Sequence, residues 1–430
     1  MYSTLRRSWR AADRCLTWAV KRQPIRRAAA ITLAAVLWLA AASPSARGQT
    51  FTVLHSFAGY PTDGSIPFAG LLMDASGNLY GTTVYGGSNN TCQGDSSTGC
   101  GTVFKLDTKG TETVLHNFSG PDGANPISIP IMDANGDLYG TTAAGGHIQY
   151  CKTINYGGCG VVFKLSGTKE TVLHRFTAGA DGAQPEAGVI MDASGALYGT
   201  AYEDGPIGAG VVFKLVGTKE TVLHAFTSGK DGGFPTARLM MDANGVLYGT
   251  ATSGGDSTCD YPYGCGVVFK LAGKKETVLH AFRGSPDGMQ PEAPLFMDPN
   301  GNLYSTTYNG GAPYNTGTVF ELSPDGKENV LHRFHAYTKR HDGLYPYTGV
   351  VRDAQGNLYG TASAGGAKGV GVVYEITADG EEKILHSFCT GDCSDGSQPN
   401  DLFIDAKGNL YGTAAGGGIN GNGTVFMITP

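Results

Sequence analysis

Four short apolar phrases recur in the same order along the chain, and polar or glycine-rich segments separate them. The first phrase ends in aspartate (residues 70–74), and the second is Leu-Tyr-Gly-Thr (79–82). The third is Gly-Thr-Val-Phe-Lys-Leu (101–106), and the fourth is Val-Leu-His-x-Phe (53–57). Short runs rich in β-branched and aromatic residues favour strands, and no helical periodicity is sustained after about residue 48. The pattern therefore predicts an all-β fold.

The segments between the phrases predict two tight turns in each unit. Asp-Ala-Ser-Gly-Asn (74–78) separates the first two phrases, and Thr-Lys-Gly-Thr (108–111) separates the last two. Glycine supplies positive φ there, and aspartate can accept hydrogen bonds from the nearby backbone. A long variable linker joins the second phrase to the third. The segment Asp-Gly-x-x-Pro, as at 63–67, leads into the next unit.

The fourth phrase occurs seven times at a spacing of about 50–60 residues, which indicates a tandem repeat. Four antiparallel strands per unit, repeated around an axis, describe the blades of a β-propeller. The region after the leader begins with a fourth phrase alone, and the chain ends with a third phrase alone. Pairing strand 51–57 with strand 423–428 would close the ring and remove two open edges. We therefore expect one domain over 49–430, a propeller of seven four-stranded blades.

Residues 1–48 do not fit the repeat and resemble a secretory signal. Several cations precede an apolar run at 28–42, and Ala46-x-Gly48 offers a small-x-small cleavage site before Gln49. The run is shorter than the roughly 20 residues of a membrane span, so an uncleaved anchor is the less favoured alternative. Arginine pairs at 6–7 and 26–27 leave a twin-arginine route open. The expected location is periplasmic or extracellular.

The eight cysteines that follow the leader fall into local pairs, which indicates disulfides in an oxidising compartment. The pairs are Cys92/Cys100, Cys151/Cys159, Cys259/Cys265 and Cys389/Cys393. Metal binding is the weaker alternative, since no pair has Cys-x-x-Cys spacing or a histidine partner.

The histidines of the fourth phrase recur in every unit: His55, His116, His174, His224, His280, His332 and His386. On an ideal strand, Val53, His55 and Phe57 would share one face. A ring of imidazoles suggests metal or proton chemistry. The favoured interpretation is structural: each histidine would donate a hydrogen bond to the aspartate of the Asp-Gly-x-x-Pro segment.

Other candidate chemistry is sparse. The net charge of −6 without a basic stripe argues against nucleic-acid binding. The aspartates that open the first turn, such as Asp74, are better explained as turn stabilisers than as calcium ligands. No nucleophile elbow, zinc-protease motif or carboxylate couple stands out, so we predict no catalytic residue, metal or cofactor.

Function is expected where the repeats differ, above all in the long linkers between the second and third phrases. Five linker tyrosines are the candidate ligand-binding residues: Tyr150, Tyr156, Tyr261, Tyr263 and Tyr314. With neighbouring amides and carboxylates they would form a recognition surface for a glycan or a protein. The alternative is that they simply decorate exposed loops.

The repeat unit Asp-Ala-x-Gly-Asn-Leu-Tyr-Gly-Thr, continued by Gly-Thr-Val-Phe-Lys-Leu and Val-Leu-His-x-Phe, resembles the GloVer (Gloeobacter/Verrucomicrobia) tandem repeat of bacterial exported proteins. It is more loosely similar to NHL-like propeller repeats. The resemblance implies export and a tandem-repeat fold, and it supplies no established activity and no catalytic residue. No anchor follows the last repeat before Pro430. We therefore expect a soluble monomer with no stable membrane span after signal cleavage.

These observations favour a secreted, non-catalytic propeller that binds or scaffolds an extracellular glycan or protein. The alternative is a polysaccharide-active lyase or hydrolase with its site in the propeller channel. Propellers host both kinds of function, so the fold alone does not decide between them.

Overall fold

The computed structural model describes residues 49–89, 92, 98–146, 151, 157–260, 262–335 and 342–429. These residues form short β-strands and no helix. The predicted leader lies outside them. The strands are β1 Thr50–Ser56, β2 Gly64–Ser65, β3 Leu72–Met73, β4 Leu79–Thr83, β5 Tyr85–Gly86, β6 Thr102–Leu106, β7 Glu112–Asn117, β8 Ile131–Met132, β9 Leu138–Thr142, β10 Val161–Ser166, β11 Lys169–Arg175, β12 Ile190–Met191, β13 Leu197–Ala201, β14 Val211–Val216, β15 Lys219–Ala225, β16 Met240–Met241, β17 Leu247–Ala251, β18 Val267–Ala272, β19 Lys275–Ala281, β20 Phe296–Met297, β21 Leu303–Thr307, β22 Thr318–Leu322, β23 Glu328–Arg333, β24 Gly343–Leu344, β25 Val351–Arg352, β26 Leu358–Ala362, β27 Ala364–Gly365, β28 Val372–Ile376, β29 Glu382–Ser387, β30 Ser397–Ile404, β31 Leu410–Gly416 and β32 Thr424–Thr429.

Over the described residues these strands build seven four-stranded antiparallel sheets, which are the predicted blades. In order from the first phrase to the fourth, blades 1 to 7 are β3-β4-β6-β7, β8-β9-β10-β11, β12-β13-β14-β15, β16-β17-β18-β19, β20-β21-β22-β23, β25-β26-β28-β29 and β30-β31-β32-β1. The pairs β2-β5 and β24-β27 are small ribbons beside blades 1 and 6.

The ends of the repeat region close the ring as predicted. Strand β1 pairs antiparallel with β32, from Thr50 opposite Thr429 to Ser56 opposite Thr424. Both strands lie within one residue of the predicted bounds. The closure gives the last blade its fourth strand and leaves neither end with an unpaired edge.

The simple alternation expected for the fourth phrase is wrong, because every one of these strands contains a β-bulge. Val53 lies opposite Phe426 and His55 lies opposite Val425, so Leu54 has no partner in the register. Cross-strand partners share a face, and Phe426 and Val425 are consecutive. Val53 and His55 therefore lie on opposite faces. The bulge therefore separates His55 from Val53, with which it was expected to share a face.

The hydrophobic core lies between blades, where the phenylalanine that ends each fourth phrase packs against the third strand of the next blade. The rings meet edge to face with centroids 5.1–5.3 Å apart, a favourable aromatic geometry. The pairs are Phe57–Phe104, Phe118–Phe163, Phe176–Phe213, Phe226–Phe269, Phe282–Phe320, Phe334–Tyr374 and Phe388–Phe426. Each blade thus completes its neighbour's core.

The turn aspartates are engaged by their own turns. Oδ1 of Asp74 accepts hydrogen bonds from the backbone N–H groups of Ser76 and Asn78, both at 2.9 Å. Its Oδ2 accepts one from the hydroxyl of Tyr80 at 3.1 Å. The turn of blade 2 repeats this arrangement with Asp133 and Tyr139. The carboxylate therefore joins the turn to the following strand.

Two kinds of connection meet at one end of the ring, which we call the upper face. The linkers between second and third strands pair there with the segments that lead into each next blade. Examples are Gly64 with Gly86, Ala124 with Ala144, and Met289 with Asn309. The upper face is therefore built from the segments in which the repeats differ most.

The predicted disulfides are confirmed: Cys92–Cys100, Cys151–Cys159, Cys259–Cys265 and Cys389–Cys393. Three of them tie linkers of the upper face, and each closes a loop of eight residues or fewer. Such short loops fix local shape more than global stability. Across the described ranges, no helix has the length and apolar character needed to cross a membrane.

Tyr374 gives a direct test of the inter-blade core. It stands where the other blades have phenylalanine, it is fully buried, and its hydroxyl has no hydrogen-bond partner among the described residues. A buried polar group without a partner costs about 1–3 kcal/mol. Tyr374→Phe should therefore raise the free energy of unfolding by about 1 kcal/mol in guanidinium titrations. Phe320→Tyr, the reverse change in blade 5, should lower it. Destabilisation by Tyr374→Phe would contradict this packing.

Candidate functional site

The seven repeat histidines lie beside the aspartates predicted to receive them. The distance from Nε2 to the nearest carboxylate oxygen runs from 2.9 Å for His386 in blade 6 to 3.6 Å for His332 in blade 5. The pairs are His55–Asp63, His116–Asp122, His174–Asp181, His224–Asp231, His280–Asp287, His332–Asp342 and His386–Asp395. Backbone donors fix the carboxylate as well: Asp63 accepts from the N–H groups of Ala58 and Gly64 at 2.7 and 2.6 Å. This contact holds the segment that enters the next blade.

A glutamate on the outer strand of the next blade faces each of the first six pairs in chain order. For His116 and Asp122 it is Glu170, and for His280 and Asp287 it is Glu328. We call each such meeting of a histidine, an aspartate and a residue of the next blade a junction. Phe51 takes the glutamate's place at the junction between blades 6 and 7. Its ring stacks on His386 with centroids 3.7 Å apart.

The surroundings of the junction glutamates disfavour the ionised form of their carboxyl groups. Burial raises the pKa of Glu112, Glu170, Glu276 and Glu328 to about 7, and in each case a neighbouring aspartate carboxylate adds to the effect. The pKa of Asp122 is lowered, since hydrogen bonds from His116 and Ser119 outweigh the raising effect of burial. At this junction Asp122 therefore carries the negative charge, and Glu170 is substantially protonated near neutral pH.

Two of the five predicted linker tyrosines lie among the described residues. Tyr150, Tyr156 and Tyr261 lie outside the described residues. Tyr263 is on the blade 4 linker and is 66% exposed, whereas Tyr314 is on the blade 5 linker with its ring centroid 5.4 Å from that of His335. Whether the five rings act together remains a prediction.

The upper end of the central channel holds a cavity of about 80 Å³, lined by residues that directly follow the repeat prolines. These positions vary between blades. They carry Phe68, Ile127, Glu186, Thr236, Glu292 and Tyr347 in blades 1 to 6. Blade 7 is one residue shorter between Pro399 and Asp405, and the residue that it contributes to the lining is Asp401. Ligand-enclosing pockets usually measure about 300–1,000 Å³, so the channel itself does not enclose a sugar ring.

Ionisable groups converge on this cavity from four blades. Burial raises the pKa of Glu186 to about 7, and the charge of Glu203 adds to this effect. Burial raises the pKa of Glu292 to about 8, and the charge of Glu186 adds to it. Burial also raises the pKa of Asp401 to about 6, against the opposing effects of Arg238 and the N–H of Gly349. Carboxyl groups that titrate near neutral pH and line a cleft mark a candidate site.

Four aromatic rings continue from the channel onto the upper face, and we call them the aromatic arc: Phe68, Tyr347, Tyr308 and Tyr345. The centroid of Tyr347 lies 5.3 Å from that of Phe68 and 6.3 Å from that of Tyr308. The centroids of Tyr308 and Tyr345 are 5.3 Å apart. Burial raises the pKa of Tyr308, and the nearby Glu292 adds to it. The arc is therefore continuous with the acidic end of the cavity.

The backbone under the arc is held in a left-handed conformation that repeats in every blade. The residue before each repeat proline has φ between 53° and 57°, which is uncommon for residues other than glycine. These residues are Ile66, Asn125, Gln184, Phe234, Gln290, Tyr345 and Gln398. In blade 6 the N–H of Tyr345 donates to the carbonyl of Thr316, which belongs to blade 5, at 3.0 Å. The blades thus present five kinds of side chain from one fixed backbone.

The channel residues and the aromatic arc were missed by the sequence prediction, which searched only the long linkers for differences between repeats. The available signal was variation inside an otherwise constant phrase. The two positions that flank the repeat proline change in chemical class from blade to blade. Aligning the seven units on that proline would have found Phe68, Glu186, Glu292, Tyr345 and Tyr347.

Closed by its own terminal strand and lined by its inner strands, this ring is a seven-bladed β-propeller. The sequence model of the Gloeobacter/Verrucomicrobia repeat matches residues 43–261 and 259–430, and the chain belongs to that repeat family. No curated protein matches the sequence.

Solved structures to which the chain is similar include one gluconolactonase and two putative lactonases. A gluconolactonase of Xanthomonas campestris is 16% identical, with 62% of this chain and 78% of that chain covered at a TM-score of 0.37. A putative 6-phosphogluconolactonase of Bacteroides uniformis is 16% identical, with 76% and 86% covered at a TM-score of 0.45. A further putative gluconolactonase is 12% identical, with 89% and 92% covered at a TM-score of 0.38. Likenesses this weak carry no argument about activity.

The junction glutamates predict a specific pH dependence of stability. The pKa of Glu170 is about 7 in the folded chain against an ordinary value of 4.5. Its contribution to stability is therefore complete below about pH 4.5 and is lost as the pH rises through about 7. In urea titrations at pH 4.5, 6 and 8, wild type should lose stability relative to Glu170→Gln as the pH rises.

Glu381→Gln removes an exposed carboxylate and controls for the loss of one charge. A difference between wild type and Glu170→Gln that stays constant from pH 4.5 to 8 would contradict the assignment.

Proposed function

We propose that this protein is an exported, non-catalytic binding module that holds an extracellular glycan at the mouth of the propeller channel. The aromatic arc would stack against sugar rings, since the C–H faces of a pyranose pack well on aromatic surfaces. The observation that carries the proposal is the continuous ring contact from Phe68 through Tyr347 and Tyr308 to Tyr345. These positions vary between repeats, so the blade architecture itself does not require aromatic residues there.

Polar groups beside the arc are suited to sugar hydroxyls. The side-chain amide of Asn309 donates to Oε1 of Gln290 at 2.6 Å, which fixes both groups next to Tyr308. Glu292 lies close enough to raise the pKa of the Tyr308 hydroxyl. Amides and carboxyl groups that are already positioned lose little freedom on binding and can set the orientation of a sugar.

Export is part of the proposal and is supported by the four disulfides, because such bonds persist in oxidising compartments. The leader predicted at 1–48 points to the same location.

One observation favours a second candidate, a polysaccharide lyase or hydrolase. Glu186 and Glu292 have pKa values raised to about 7 and 8, which suits a carboxyl group for general acid catalysis near neutral pH. The cavity of about 80 Å³ has room for only a few water molecules, and this weighs against catalysis deep in the channel.

Two tyrosine variants distinguish glycan binding at the aromatic arc from glycan binding at the long linkers. A glycan array first identifies a polysaccharide that the purified protein retains, and calorimetry then measures its affinity. Tyr347→Ala should weaken binding at least about tenfold, equivalent to roughly 1.4 kcal/mol, as expected for an aromatic anchor. Tyr263→Ala removes an exposed ring of the blade 4 linker and should change affinity less than about twofold.

The reverse pattern, with binding lost in Tyr263→Ala and kept in Tyr347→Ala, would move the site to the linkers. An array without a retained glycan would overturn the proposal. Release of shortened or unsaturated sugar products by wild type but not by Glu292→Gln would establish the enzyme in its place.

A further inference from the structure

The junction between blades 5 and 6 departs from the other junctions in ways that point to a ligand. His332 lies on β23, Asp342 lies in the connection to blade 6, and Glu382 lies on the outer strand β29. The connection from the histidine to the aspartate spans ten positions here and six to nine elsewhere.

The first departure is burial. The side chains of His332 and Asp342 are 8% and 0% exposed. At the other six junctions the histidines are 15–18% exposed and the aspartates 11–22%. Buried polar side chains are normally hydrogen-bonded, so this pair requires an explanation.

The second departure is in the polar atoms themselves. Nε2 of His332 and Oδ1 of Asp342 are 3.6 Å apart, and neither has a hydrogen-bond partner among the described residues. Nε2 of His224 also lacks a hydrogen bond, so the feature particular to this junction is the buried, unpartnered aspartate oxygen. The other oxygen of Asp342 accepts from the backbone N–H of His335 at 2.8 Å, which holds the carboxylate with Oδ1 toward the histidine. Two deeply buried polar atoms therefore face each other at a distance too long for a hydrogen bond.

The third departure is that a carboxylate oxygen of Glu382 lies close to both of these atoms. Nε2 of His332 lies 3.8 Å from Oε1 of Glu382, and one donor atom from each of the three residues lies within 4.8 Å of the other two. Among the described residues this is the group of three with such spacing. Ligands bound at about 2.0–2.2 Å in a tetrahedral zinc site lie about 3.3–3.6 Å from one another. The separations of Nε2 of His332 from Asp342 and from Glu382, 3.6 and 3.8 Å, are close to that and need only a small contraction.

We infer that the blade 5–6 junction is a binding site for a divalent transition-metal ion, with His332, Asp342 and Glu382 as its ligands. One imidazole and two carboxylates form a donor set suited to Zn²⁺, whereas Ca²⁺ takes six to eight oxygen ligands. The site lies between outer strands, away from the channel mouth, and does not depend on the proposed glycan binding. A metal there would tie blade 5 to blade 6.

The neighbouring junction between blades 4 and 5 supplies a matched control. Glu328 holds the same repeat position as Glu382, but its histidine is already paired, with Nε2 of His280 3.2 Å from Asp287. Glu328→Gln should therefore remove an equivalent carboxylate without touching the metal site.

The test is calorimetric titration of the purified, chelator-stripped protein with ZnCl₂, and separately with CaCl₂. We expect one Zn²⁺ per chain and no saturable Ca²⁺ binding. Glu382→Gln should bind Zn²⁺ at least about tenfold more weakly, since even changes outside the ligand shell cost about 10–100-fold. Glu328→Gln should bind it like wild type. Circular dichroism checks that each variant is folded.

If Glu382→Gln does not fold, the metal titrations of wild type are enough to refute the assignment. Absence of saturable Zn²⁺ binding, a stoichiometry near six that reflects every junction alike, or preference for Ca²⁺ would overturn it. Equal Zn²⁺ affinity in folded Glu382→Gln and Glu328→Gln would do the same. A Zn²⁺-dependent rise in the melting temperature of wild type, absent in Glu382→Gln, would support it independently.

Discussion

The whole ring depends on the contact that each Val-Leu-His-x-Phe strand makes with the following blade. A single four-stranded blade has too little interior to bury its apolar residues, so its core is completed by its neighbour. The terminal phenylalanine, such as Phe57 against Phe104, supplies that shared core. The histidine two residues earlier fixes the aspartate that leads into the next blade. The β-bulge makes both contacts compatible, because it places the histidine and the preceding valine on opposite faces.

This constraint explains why the most repeated residues are poor candidates for function. The histidines, turn aspartates and fourth-phrase phenylalanines are all engaged within or between blades. The side chains beside each proline are different, because their backbone is fixed while their identity is free. Three residues that flank a proline, Phe68, Tyr345 and Tyr347, form the aromatic arc together with the neighbouring Tyr308. The junction between blades 5 and 6 is the exception, since the same structural residues are rearranged there into a group of different chemistry.

The architecture could be predicted from sequence because short strands, turn residues and incomplete end units are local signals. The bulge was not predicted, since it arises from pairing with a second strand. The aromatic arc was not predicted because its members come from blades 1, 5 and 6. Phe68 meets Tyr347 across blade 7, whose segment between Pro399 and Asp405 is one residue shorter than in the other blades. That contact exists only once the ring is closed. The predicted linker tyrosines were chosen for loop length, which says little about convergence.

Constant positions hold the ring, and we propose that variable positions at the channel mouth bind a glycan. Hydrogen–deuterium exchange of the purified protein with and without its glycan tests this most directly, since it maps contact without any substitution. We expect added protection in peptides covering residues 66–70, 290–294 and 345–349, with little change in the outer strands. Protection confined to the linker at 256–260, or spread equally over all seven blades, would contradict it.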